Sequence, residues 1–172
     1  RAAKSQHDLV KICAGRALRC AGSSDEVLTA LGGLLRDPNS FAQAEAAKTI
    51  LLGKFNREKA ISLLLKALRA SAGYEDGPDG IMDPILNTRV SGREMMIRAL
   101  TQLQAQKEAH DELVKLIKDE GLTGGVFRAL SDHFLKCPSE KARAKFIELY
   151  KRCPEDAREH FHGYLLKEKS PE

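Results

Sequence analysis

At 172 residues, 42% of them hydrophobic and 30% charged, the chain has the length and composition of a single soluble domain with a real core. No apolar run approaches the roughly 20 residues that cross a bilayer, and the scarcity of aromatics (5%, with no Trp) argues against a β-sandwich. The net charge of +4 divides unevenly, with 12 Lys/Arg against 6 Asp/Glu in residues 1–70, 1 against 4 in 71–92 and 15 against 14 in 93–172. That balance falls well short of a nucleic-acid-binding pattern.

Apolar residues recur with the 3.6-residue period of helices. The pattern predicts helices over 4–20, 25–36, 39–54, 57–70, 91–104, 107–119, 123–136, 139–152 and 154–167. Ser24-Asp25 precedes the second, Asp37-Pro38 the third and Ser91 the fifth, each a helix-starting signal. Pro138 and Pro154 open the last two, where a first-turn proline is tolerated. Gly53 followed by a short polar break separates the third from the fourth, so AEAAKTILLGKFNREKAISLLLKAL is two antiparallel helices joined by a tight turn. Arg1 stands where a Met would open a complete chain and no signal-peptide pattern precedes it, so the sequence is expected to be part of a longer or processed protein.

The helices repeat. A shift of 34 residues carries Val27, Ala30, Leu31 and Leu34 onto Ile61, Leu64, Leu65 and Leu68, and Ala17 and Leu18 onto Leu51 and Leu52. A shift of 48 then carries Ile61, Leu65 and Leu52 onto Ala109, Leu113 and Leu100. A last shift of 33 places Ala109, Leu113 and Leu116 on Ala142, Phe146 and Leu149. The 14 residues by which 48 exceeds 34 form an insertion within SAGYEDGPDGIMDPILNTRVSG, inside the second hairpin. Fixed-period similarity of two-helix units implies an all-α, right-handed α-solenoid of about four hairpins plus a leading helix, in one domain over 1–172.

Residues 44–68 resemble a HEAT repeat of the phycobilin-lyase-like HEAT proteins, in which an alanine-rich second helix ends Leu-Gly and the next helix opens Ala-Ile seven residues on. Gly53 and Ala60 keep that interval, and residues 10–38 fit the same frame, with Val10-Lys11 at the family's Val-Arg position and Asp37-Pro38 in the turn. The resemblance covers most of residues 5–120. The rival is the tetratricopeptide repeat, also 34 residues long, but Leu stands where its Tyr would be.

The resemblance also frames the search for chemistry. Iron-dependent hydroxylases of this class bind metal through His-Glu pairs, yet the five histidines precede Asp8, Asp111, Phe134, Phe161 and Gly163. HEAT-like glycosylases use Trp, which is absent. Gly32-Gly33 and Gly124-Gly125 lack the lysine and spacing of a phosphate loop. Asp76, Asp79 and Asp83 miss the spacing of a calcium loop. No catalytic residue, metal ligand or cofactor is expected. Cys13 and Cys20, seven residues apart on one helix, lie roughly 10 Å apart along its axis and cannot bridge. With Cys137 and Cys153 they are expected to be buried, reduced thiols.

What remains is surface. Second helices line the concave face of a solenoid, and their outward positions are expected to include Lys11, Glu45, Lys48, Arg93 and Arg98. Lys11 and Arg93 have a competing role as ladder contacts to turn carboxylates such as Asp37. The insertion, 71–90, joins Tyr74, Ile81, Met82, Ile85 and Leu86 to three aspartates, a composition that suits either folding back or docking a protein. The expected function is therefore a non-enzymatic, intracellular, cytoplasmic scaffold. It would bind protein through the concave face with Lys48, Arg93 and Arg98, through Tyr74, Ile81, Met82, Ile85 and Leu86, or through both. The alternatives are a lyase-type chaperone or other enzyme of the phycobilin-lyase-like group, and a tetratricopeptide-like adaptor or nucleic-acid module using the basic 1–70 half.

Overall fold

The computed structural model describes residues 7–71, 81–83, 88–116, 123–136, 140–153 and 155. Among them are eight helices: α1 (Asp8–Cys20), α2 (Asp25–Leu35), α3 (Ser40–Leu52), α4 (Arg57–Ala70), α5 (Gly92–Gln102), α6 (Gln106–Leu116), α7 (Gly124–Leu135) and α8 (Glu140–Arg152). Apart from Glu155, the predicted ninth helix lies outside the described residues.

Side-chain caps explain most of the starts. Ser24, Asn56, Ser91 and Thr123 accept from the backbone N–H three residues on, satisfying a donor that has no partner within its helix. The third helix departs from expectation. Asn39, not Asp37-Pro38, caps it by accepting from the N–H groups of Phe41 and Ala42, while Asp37 takes the N–H of Asn39 at 2.9 Å. Past α1 the chain turns at Gly22, whose φ of +92° lies in the left-handed region that glycine enters without strain.

The helices pack in two rows. Along one, α1 packs on α3, α3 on α5 and α5 on α7; along the other, α2 packs on α4 and α4 on α6. The core lies between them. Val27, Leu31 and Leu34 of α2, Ile61, Leu65 and Leu68 of α4, Ala109, Leu113 and Leu116 of α6, and Phe146 and Leu149 of α8 are all buried. These are positions matched by the repeat spacing; Ala30, matched to the fully buried Leu64, is half-buried, and the side chain of Ala142 lies outside the described residues. The register does not hold in the odd-numbered helices: Leu100 is fully buried, but Leu52, its expected equivalent, is 58% exposed at the end of α3.

α3 has neighbours on three sides, α1, α5 and α2. Ala42, Ala44, Ala46 and Ala47 are buried there, and their small side chains let the flanking helices approach closely. Ile81–Asp83 and Thr88–Val90 pair as antiparallel strands β1 and β2, with Ile81 opposite Val90 and Asp83 opposite Thr88, and β1 lies near α3.

Candidate interaction surface

The surface is built from the odd-numbered row, whose helices are pinned together by polar contacts. The Thr49 hydroxyl of α3 donates to the Gly15 carbonyl of α1 at 3.0 Å. Glu45 of α3 is buried and accepts from Nε and Nη2 of Arg16, both at 3.2 Å, and from Nη2 of Arg19 at 3.4 Å. Gly92, at the start of α5, donates its N–H to Ser40 at 2.8 Å, and its Cα abuts the Gln43 side chain. Gly125, in the first turn of α7, lies against the buried carboxylate of Glu94. Any side chain at Gly92 or Gly125 would occupy space already held by Gln43 or Glu94, so both glycines serve close helix approach.

This packing relocates several residues expected to face outward. Glu45 and Arg93 are buried, 5% and 4% exposed; α1 covers the first, and the second reaches the Ser71 carbonyl at the end of α4. Arg93 Nη2 donates to the Ser71 carbonyl at 2.6 Å, tying the end of α4 to the start of α5 across the insertion. Lys11 makes the expected ladder contact, 2.8 Å from Asp37, and that carboxylate raises the lysine pKa above its ordinary value. Lys48 and Arg98 are half-buried on the side of the row turned away from the core. Arg98 Nη2 donates to Glu94 at 2.6 Å one turn earlier. Ile81 and Met82 lie on β1, their side chains outside the described residues, as are Tyr74, Ile85 and Leu86 altogether.

The thiols also differ from expectation. Cys153 is buried, but Cys13 and Cys20 are exposed because α1 is covered along only one narrow stripe, at Ala14 and Gly15. A shallow groove of about 510 Å³ lies on the other row between α2 and α4, floored by Leu28 and Leu63 and rimmed by Glu58, Lys59 and Lys66. Lys59 crosses to Asp25 at its edge, at 2.5 Å.

The buried polar centre is His133. Its Nδ1 is 3.0 Å from the Thr101 hydroxyl, and its ring meets Phe134 edge-on. Desolvation, with a smaller contribution from His110, lowers its pKa to about 4. A neutral histidine enclosed by the α5–α7 contact is a packing element. Among the described residues no group of three or more His, Cys, Asp or Glu is placed to hold a metal ion, and no helix is long and apolar enough to cross a membrane. Comparison with family models, curated proteins and solved structures found no match to this chain.

Proposed function

We propose that the chain is a HEAT-like solenoid segment that acts as a non-enzymatic protein-binding scaffold. Its binding surface is the outward side of the α1–α3–α5–α7 row, extended by the 71–90 insertion. The observation that carries this reading is the division of labour within that row. Glycines, alanines and buried carboxylates lock the helices together, while Arg16, Lys48, Leu52, Arg98 and Gln102 are left exposed or half-exposed on one side. A rigid multi-helix side with mixed apolar and charged groups suits a protein partner better than a small molecule, which needs an enclosed cavity. The exposed thiols of Cys13 and Cys20 support a reducing, intracellular setting.

Site-specific photo-crosslinking tests the proposal. A photoreactive amino acid at Leu52 or Gln102 should capture a protein from the source lysate, whereas the same group at Thr29, on the opposite row, should not. Absence of a protein adduct at Leu52 and Gln102 overturns the scaffold reading.

A further inference from the structure

Each helix of the odd-numbered row carries a cation on its outward side: Arg16 on α1, with Arg19 beside it on the same Glu45, Lys48 on α3, Arg98 on α5 and Arg128 on α7. Helical periodicity places Arg16, Lys48, Arg98 and Arg128 opposite the core. In α3, Lys48 and Leu52 share a face, while Glu45 and Thr49 turn toward α1 and Gln43 turns toward α5. In α7, Arg128 and Leu135 are half-buried on the side away from Val126 and Leu130, which are fully buried.

The interhelix contacts also set their height along the helix axes. Thr49 opposite Gly15 puts Arg16 level with Lys48. Gly92 opposite Gln43 then brings Arg98 beside Lys48. Thr101 opposite His133, with Gly125 beside Glu94, sets Arg128 within one turn of Arg98. These four cations, one from each helix, form a transverse row, and helices packed side by side are about 8–10 Å apart.

Arg16 and Arg98 are held in place from beneath. Glu45 fixes Arg16 and Glu94 fixes Arg98, and both carboxylates are withdrawn from solvent. Arg98 spends one donor on Glu94, and its buried Nε has no hydrogen-bond partner. The row presents cationic side chains to solvent, Arg16 and Arg98 each paired beneath to a carboxylate, with the exposed Leu52 set among them.

We infer that this row binds an acidic peptide segment in the polyproline-II conformation, with a carboxylate at every third residue, lying across the four helices. The period carries the argument. Polyproline II has three residues per turn and a rise of about 3.1 Å, so every third side chain returns to the same face after about 9 Å. That distance matches the helix spacing, so successive carboxylates meet successive cations while an intervening aliphatic side chain reaches Leu52. A nucleic-acid strand fits less well. Single-strand binding relies on aromatic stacking platforms. Phe41 is the one aromatic residue of α1, α3 or α5, and Phe127 and Phe134 of α7 are buried.

The inference rests on the scaffold reading and names the partner class. The test uses the intact chain and the synthetic ten-residue peptide (Glu-Pro-Leu)3-Glu, followed by fluorescence anisotropy. Controls are a peptide of identical composition with its four glutamates contiguous, the corresponding Lys-Pro-Leu peptide, and oligothymidylate. The spaced acidic peptide should bind at least tenfold more tightly than every control. Lys48→Glu combined with Arg128→Glu should weaken it at least tenfold while far-UV circular dichroism and melting stay unchanged. If that double variant unfolds, Arg98→Gln gives the second reading and should weaken binding severalfold. Equal affinity for spaced and contiguous peptides, tighter binding of oligothymidylate, or no loss in the folded variants overturns the inference. Should it fail while photo-crosslinks at Leu52 persist, the scaffold survives and only the acidic partner is discarded.

Discussion

Acidification from pH 7 to 4.5 should destabilise the fold through His133. The Thr101 hydroxyl donates to the Ile97 carbonyl at 2.9 Å, so toward the ring it is an acceptor and the imidazole proton sits on Nδ1. Nε2 is buried with no hydrogen-bond partner, and protonating it would place an unsolvated charge in the α5–α7 contact. The folded pKa of about 4 lies below the ordinary 6.5. Between those values the unfolded chain binds the proton and the folded chain does not, so stability falls as pH falls through this window. At about 1.4 kcal/mol per pKa unit, the full displacement corresponds to roughly 3 kcal/mol, most of it lost by pH 4.5. Glu26, Glu108 and Glu112 have lowered pKa values, owing first to the Ser24 hydroxyl, the backbone N–H of Glu108 and Arg69 respectively. Their stabilisation is present above about pH 4.5 and is lost only below it, outside the histidine window. Urea unfolding at pH 7.5, 6.5, 5.5 and 4.5 measures the slope, and His133→Leu should flatten it while leaving the Thr101–Ile97 bond intact. A native protein equally stable at pH 6.5 and 4.5, or a variant with an undiminished slope, would refute the reasoning.

Leu100→Ala and Leu113→Ala, at fully buried positions, should each cost about 2–5 kcal/mol by denaturant unfolding. Gly125→Ala should cost about 1–3 kcal/mol, because the new methyl group displaces the Glu94 carboxylate; Glu94→Ala in the same chain should recover part of that cost. Thiol labelling of the native protein, mapped by mass spectrometry, should modify Cys13 and Cys20 promptly and Cys153 only after unfolding.

The even-numbered helices were legible because each presents one stripe of large aliphatics to the core, as Ile61, Leu65 and Leu68 do in α4, and that stripe has the helical period. Ser24 and Ser91 announced their helices through local cap chemistry that operates before any tertiary contact. α3 hides the equivalent information. Buried on several sides among small residues, it has no single apolar face, so Glu45 reads as a solvent-facing charge until Arg16 and Arg19 are seen to enclose it. Arg93 misleads in the same way, since its carbonyl acceptor at Ser71 lies 22 residues away across an insertion. The usable signal for close helix approach in this row was the glycine in the first turn of α5 and of α7, where a helix ordinarily has no need of one.

The eight described helices, most of their caps and the spacing of the core leucines in the even-numbered helices were legible in the sequence itself, because periodic burial and capping depend on residues within one or two turns of each other. Which cation is buried, which carboxylate anchors an arginine and how the four odd-numbered helices align in height were decided only by tertiary packing. Those outcomes turn on how closely one helix approaches another, which depends on pairs such as Gly125 and Glu94 that no local pattern connects.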